Sequence, residues 1–180
     1  AYAGLQFTEE VKNLSNAFYP KHPFLLIIGG AKFETKMPLI EKFLNIADSV
    51  FIAGINAKPA FETDLKTNPK IIFPHGDIGA LDADKETLEN LKKEINKSKM
   101  ILWNGPLGDF EHGYKLGTNE LAQMIADAEA ETIVGGGDTL ASIKELNLLD
   151  KFSFVSTGGG AMLAFLGTGT LVGIDALKRI

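Results

Sequence analysis

Two lysines four residues apart, Lys32 and Lys36 in GGAKFETK, and one aspartate, Asp138 in VGGGDT, stand where this 180-residue chain could do chemistry. Each follows glycines at the end of an apolar, β-branched run. Cations just past a strand can steady phosphate charge, although the dipole disfavours a lysine in a first helical turn. A solvated surface pair fits the same spacing. Thr35 is placed to cap the helix that follows. Asp138 sits where an aspartate caps a helix well, and equally where a carboxylate could reach Mg²⁺ beside a phosphate. Local sequence does not separate these readings.

Two triple glycines sharpen the pattern. Gly135–Gly137 follows TIV and Gly158–Gly160 follows FVST, and each precedes a helix-like segment. Counting IIGGAK, FIAGIN and LWNGP, five candidate strands end in small residues. In an open parallel sheet, ligands bind outside the carboxyl ends of the strands. Glycine there lets backbone approach a ligand, and a following helix offers unpaired N–H groups that suit phosphate. One such turn is ordinary punctuation; five at one edge point to a phosphate-bearing ligand.

Other motifs are missing. There is no G-x-x-x-x-G-K-[ST] phosphate loop and no G-x-S-x-G nucleophile elbow. GTGTLVG carries its last glycine one place late for a dinucleotide fingerprint and follows no clear strand, which leaves a dinucleotide enzyme unsupported. His22, His75 and His112 show no metal-ligand spacing and read as solvated or structural. Trp103 reads as core.

The elements that must hold these residues alternate along the chain. Strands are predicted at 24–30, 49–54, 70–74, 99–105, 132–136 and 152–157, and their continuous apolar character suits strands buried on both faces. Between them TKMPLIEKFLNIAD, KETLENLKKEINKS and GTNELAQMIADAEA show helical spacing. Pro38 is placed in a first helical turn, where proline is tolerated. The opening GLQFTEEVKNLSNAFYP predicts a helix ended by Pro20. The alternation predicts an α/β fold: one doubly wound, mostly parallel six-stranded sheet, Rossmann-like, flanked by helices. The two glycine turns are expected to be neighbours, facing one phosphate chain from two sides, with Asp138 on the first and no charge on the second.

Composition bounds the reading. Hydrophobic residues make up 45% and charged residues 23%, as in ordinary globular chains. The net charge of −5 disfavours nucleic acid and anionic membrane as partners. No cysteine is present, which excludes disulfides, thiolate metal sites and cysteine nucleophiles. The longest apolar run, AMLAFLGTGTLVGI, is too short to span a bilayer, and the start lacks the pattern of a signal peptide. A cytoplasmic monomer is expected. The abrupt start without Met points to a fragment.

The segments GGAK…K, WNGPLGDFE, VGGGDT and STGGGA occur in the order and spacing of the C-terminal, nucleotide-binding half of phosphoglycerate kinase, which the chain resembles over nearly its whole length. PFLLIIGGAK, KSKMILWNGP and the closing LVGIDAL extend the likeness. The resemblance implies residues 1–19 as an interdomain-type helix and 20–180 as a nucleotide-binding domain. It implies reversible phosphoryl transfer between ATP and 3-phosphoglycerate in glycolysis, with Mg-ATP or Mg-ADP as substrate. Lys36 would follow the transferring phosphoryl group, and Lys32 would meet the nucleotide phosphates. The N–H groups of Gly137 and Gly160 would stabilise the transferring group. Asp138 would hold Mg²⁺, and Thr139 would contact phosphate. Asn104, Pro106 and Glu111 would surround the terminal phosphate, ribose and base, with Glu111 on the ribose hydroxyls. Gly29, Gly30, Ala31, Gly54, Leu81 and Gly136 complete the implied nucleotide set.

The departures are specific. The family holds its acceptor on arginines and histidines of an N-terminal domain, whereas this chain has one arginine, Arg179. Without that domain the chain is expected to be inactive. A non-catalytic truncated scaffold that keeps the fold but binds nucleotide weakly or not at all is the alternative. FIAGINA replaces a more glycine-rich turn, Ala80 stands for a usual glycine, and Val172 for a common proline. Asp109 occupies a usually aliphatic position beside the base, where it is expected to lose apolar contact. The segment between IIFP and LDADKET is shorter than usual.

Overall fold

The computed structural model describes residues 4–171. Its centre is a pair of strands with no exposed residue: β1 (Phe24–Ile28) and β4 (Met100–Asn104). β2 (Ser49–Ile52) and β3 (Ile71–Ile72) extend the sheet on one side, and β5 (Glu131–Gly135) and β6 (Phe154–Ser156) on the other. The order is β3-β2-β1-β4-β5-β6, and every pairing is parallel. The expected mostly parallel sheet is thus wholly parallel, and the winding reverses between β1 and β4, where such sheets open a crevice.

Helices cover both faces: α1 (Leu5–Ser15), α2 (Phe33–Phe43), α3 (Ala57–Phe61), α4 (Lys85–Lys97), α5 (Leu116–Ala126), α6 (Gly137–Glu145) and α7 (Gly160–Thr168). Alternation along β1 divides the core. Phe24, Leu26 and Ile28 join Leu14 of α1, Leu39, Ile40 and Phe43 of α2, and Phe165 and Leu166 of α7. Leu25 and Ile27 join Leu91 and Ile95 of α4, Leu121 and Ile125 of α5, and Ile143 of α6. Each fully buried Leu, Ile or Phe contributes about 1.5–3 kcal/mol, so the sheet has a stabilising layer on each side.

Several boundaries differ from the sequence expectation. α2 begins at Phe33, because Lys32 adopts a left-handed conformation (φ 62°, ψ 60°) that turns the chain into the helix early. Thr35 therefore does not cap. It lies inside the first turn, and its hydroxyl donates to the Lys32 carbonyl at 2.7 Å. Pro38 falls in the helix interior rather than the first turn, and α7 lies against it: a Cβ on Gly167 would stand 3.3 Å from the Pro38 Cβ. α1 continues as a 3-10 turn, Asn16–Phe18, and ends before Pro20. α3 has only five residues, too few for a periodic signal. The end of GTGTLVG, LVGIDAL beyond Leu171, Val172 and Arg179 lie outside the described residues. Among the described residues, no helix is long and apolar enough to cross a membrane.

Candidate functional site

The carboxyl ends of β1, β4, β5 and β6 open onto one cleft of about 630 Å³. Gly30, Ala31, Lys32, Thr35 and Lys36 line it after β1, and Asn104–Pro106 with Glu111 after β4. Gly136–Asp138 line it after β5, and Gly159 and Gly160 after β6. Leu163 and Ala164 of α7 add an apolar wall. Four of the five glycine-ended strands thus meet at one place. The fifth, β2, ends behind the cleft: a Cβ on Gly54 would stand 2.8 Å from both the Gly30 nitrogen and the Pro106 carbonyl oxygen.

Lys36 sits on the floor of the cleft, only 6% exposed. Its Nζ donates to the Gly29 carbonyl, which also accepts from Asn56 Nδ2 at 2.8 Å. The ammonium occupies space that a side chain on Gly105 would need, 2.8 Å from where that Cβ would lie. Gly29 and Gly105 also press backbone on backbone, and a Cβ on Gly29 would land on the Pro106 carbonyl. Burial lowers the Lys36 pKa to about 8, with the Asp138 carboxylate acting in the opposite direction. Lys36 therefore keeps its proton at neutral pH while being poorly solvated, which favours a bound anion as its partner.

At the first triple glycine the N-cap is Gly136 (φ 108°), and α6 begins at Gly137. This corrects the capping reading of Asp138. It is the second helical residue and makes no cap, and its carboxylate has no hydrogen-bond partner among the described residues. The first bond inside α6 runs from Leu140 N–H to the Gly136 carbonyl at 2.9 Å. The N–H groups of Gly137, Asp138 and Thr139 precede it and have no helical acceptor. Thr139 is fully buried behind the cleft. Its hydroxyl accepts from Gly105 N–H at 2.9 Å, so it braces the neighbouring turn. Asn104 Nδ2 donates to the Gly135 carbonyl at 3.0 Å, fastening the same turn to β4.

The second triple glycine is fastened from outside the sheet. Glu10 of α1 accepts from the Ser156 hydroxyl (2.8 Å), the Thr157 N–H (2.8 Å) and the Thr157 hydroxyl (3.2 Å). Ser156 Oγ in turn accepts from Gly158 N–H at 3.2 Å. The turn itself adds no charged residue, and the residues just before it are held by a carboxylate from α1. α7 then begins at Gly160, with Gly159 at φ 50°. A Cβ on Gly159 or Gly160 would meet nothing within 4 Å, so this side is open.

Gly54 and Leu81 lie apart from the cleft, in an adjoining slot of about 220 Å³ with Ile55, Ile78, Ala80 and Asp109. Ile55 and Leu81 are more than half exposed. Asp109 N–H donates to the Leu81 carbonyl at 2.8 Å, and its two carboxylate oxygens each lie 2.9 Å from His112 Nδ1. That contact raises the His112 pKa.

The structure thus brings Gly30, Ala31, Lys32, Lys36, Asn104, Pro106, Glu111, Gly136, Gly137, Asp138 and Gly160 around one cleft. Gly29 and Thr139 stand behind it as supports. Asn56, Glu10, Leu163 and Ala164 carry no clear mark in the sequence. Asn56 follows a glycine turn, which is a faint signal. Glu10 meets a partner 146 residues away, and nothing in its surroundings marks it. His22 pairs with Asp48 at 2.6 Å and His75 with Glu86 at 3.3 Å, in keeping with structural roles. Trp103 is fully buried, its Nε1 on the Gly105 carbonyl at 2.8 Å.

Comparison with known proteins bears on this arrangement. The sequence profile of a family described as phosphoglycerate kinase matches residues 1–64 and 57–169. Phosphoglycerate kinase of Mycoplasmoides gallisepticum is 34% identical over 223 aligned residues, covering 94% of this chain and 54% of that protein. That of Oenococcus oeni is 33% identical over 224, covering 98% and 55%. The alignments exceed the 180 residues of the chain, so these relatives carry internal residues that it lacks. The solved structure of phosphoglycerate kinase from Coxiella burnetii superposes with a TM-score of 0.83 at 29% identity, covering 96% of this chain and 57% of that one. The structure from Pyrococcus horikoshii OT3 gives 0.82 at 26% identity, covering 98% and 56%. The chain spans about half the length of the curated relatives it matches.

Proposed function

The chain belongs to the phosphoglycerate kinase family, and on that footing we propose that it supplies the nucleotide-holding half of a reversible phosphoryl transfer between a nucleoside triphosphate and 3-phosphoglycerate. One observation carries the reading: four glycine-ended strands and a buried lysine converge on one cleft. Phosphoryl transfer asks for little covalent chemistry from a protein, so positioning and charge stabilisation supply most of the rate. The free N–H groups at the starts of α6 and α7 would hold the phosphate chain from two sides. Lys36, cationic below pH about 8, would neutralise charge on the phosphoryl group. Lys32 would meet the outer phosphates, and Glu111 the ribose hydroxyls.

Asp138 is suited to a metal that arrives with the nucleotide, since its carboxylate makes no cap. Among the described residues no group of three or more His, Cys, Asp or Glu could hold a metal without a ligand's help, and Mg²⁺ commonly takes one or two carboxylates plus phosphate oxygens. When bound, the ion would offset phosphate charge and orient the leaving group.

The acceptor side of the reaction belongs, in this reading, to a separate N-terminal domain, with α1 between the two. A glycolytic, cytoplasmic setting goes with it. The test is to mix the chain with the N-terminal domain of a relative and follow nucleoside triphosphate formation from the acyl phosphate. Turnover is expected only when both parts are present. Absence of turnover, together with no binding of Mg²⁺-nucleotide by calorimetry, would overturn the reading. The internal residues missing relative to the relatives favour a second reading, a scaffold that keeps the fold without its ligand. It entails unchanged thermal unfolding when Mg²⁺-nucleotide is added, whereas a binder gains stability by linkage.

A further inference from the structure

We propose that the slot beside the cleft selects a guanine base over adenine, with Asp109 as the specificity-determining residue. The inference rests on the phosphate-cleft reading above, which places the phosphate chain and leaves the base open.

Cleft and slot adjoin. Pro106 lines the cleft and Gly54 the slot, and a Cβ on Gly54 would stand 2.8 Å from the Pro106 carbonyl oxygen. Glu111 borders the cleft and Asp109, on the same loop, borders the slot. A ligand with its phosphates in the cleft and its ring in the slot would run past the 109–111 loop, which borders both. The slot itself is built for a flat apolar body: Ile55, Ile78, Ala80 and Leu81 line it, and Ile55 and Leu81 stay exposed at 55% and 51%. Two charged side chains join them there, Asp109 and Lys58.

The chemistry of Asp109 decides which ring fits. An ionised carboxylate only accepts hydrogen bonds, and it has about four lone-pair directions. His112 Nδ1 takes one direction on each oxygen, and the Asp109 side chain is still 21% exposed, so capacity remains on the slot side. Guanine presents N1–H and N2–H₂ side by side, two parallel donors matched to two carboxylate oxygens. Lys58 could donate to its O6. Adenine puts the N1 lone pair at the corresponding edge, against the carboxylate. One base gains a bidentate, charge-assisted pair and the other meets repulsion. The aspartate that is a defect in an adenine slot is therefore a reading head for guanine.

Calorimetry decides this, with Mg²⁺·GDP, Mg²⁺·ADP and Mg²⁺·tripolyphosphate titrated into the chain and into Asp109→Leu and Asp109→Asn, each checked by thermal unfolding. GDP is expected to bind at least about tenfold more tightly than ADP. Asp109→Leu is expected to abolish that preference while leaving tripolyphosphate affinity unchanged, and Asp109→Asn to weaken GDP by a smaller factor. Equal or tighter binding of ADP by the unaltered chain, or a guanine preference that survives Asp109→Leu, overturns the proposal while the phosphate cleft stands. If tripolyphosphate and both nucleotides fail to bind, the cleft reading falls and the guanine proposal falls with it.

Discussion

At the first triple glycine, Gly135 is buried against Met162, Asn104 holds its carbonyl, and Thr139 beneath it braces the turn after β4. At the second, Gly159 and Gly160 face open space, and the side-chain anchors from elsewhere in the chain, among the described residues, come from α1: Glu10, with Ser156 as its relay, and Gln6, whose Nε2 donates to Thr157 Oγ1 at 3.4 Å. The same strand–glycine–helix unit is therefore secured in two ways, once by the sheet's own packing and once by a carboxylate from an outer helix. The first turn also lies closest to the charges of the site, since Asp138 is felt by Lys36. A phosphate chain between them would meet one rigid wall and one adjustable wall, whose setting depends on where α1 sits.

Substitutions at five positions would break or sharpen this contrast. Lys36→Met carries the largest expected effect. The Lys36 pKa in the folded chain, about 8, lies below its ordinary 10.5, so the unfolded chain binds that proton more tightly. The resulting destabilisation is fully present below pH 8 and is relieved as pH rises towards 10.5. Lys36→Met should stabilise the ligand-free chain at pH 7 by up to about 3 kcal/mol, with the gain fading by pH 10. Urea unfolding at both pH values checks this, and a pH-independent difference would mean the ammonium is not desolvated.

Thr139→Val comes next. It leaves the buried Gly105 N–H without its acceptor and should cost about 2 kcal/mol, whereas Thr139→Ser keeps the bond and should cost less than half of that. Equal losses in the two variants would show that methyl packing, not the hydroxyl, secures the first turn.

Gly136→Ala and Gly160→Ala separate conformation from contact. Gly136 has φ 108°, so alanine there should cost about 1–3 kcal/mol. A methyl on Gly160 meets nothing within 4 Å, so stability should change by no more than about 0.5 kcal/mol, while phosphate affinity drops because the methyl enters the cleft. Unchanged tripolyphosphate affinity in Gly160→Ala would remove the second turn from the site.

Glu10→Ala should cost about 1 kcal/mol and carries a local signature. Hydrogen exchange at the Thr157 amide should quicken while the Gly105 amide stays protected. Matching changes at both amides would mean the two turns open as one unit.

Much of this was legible in the sequence. Apolar runs such as FLLII and MILWN announce strands buried on both faces, and the alternation with amphipathic segments leaves little choice but a doubly wound sheet. Glycines at the strand ends gave the cleft, because a parallel sheet puts all carboxyl ends on one edge. What stayed hidden depends on conformation at single residues or on long-range contacts. No local rule predicts that Lys32 turns left-handed, so Thr35 and Pro38 were placed one turn wrong. Asp138 looks like a cap until Gly136 is seen to take that position. Glu10 became a functional neighbour only once α1 had packed beside β6.

The most direct test of the two-walled cleft is an NMR titration of the ¹⁵N-labelled chain with Mg²⁺·tripolyphosphate, following the Gly137 and Gly160 amides together. Both resonances are expected to shift with one common Kd, and both shifts to vanish in Lys36→Met. A shift at Gly137 with Gly160 unmoved, or two unrelated affinities, would contradict the account, because the triple glycines would then not share one phosphate chain.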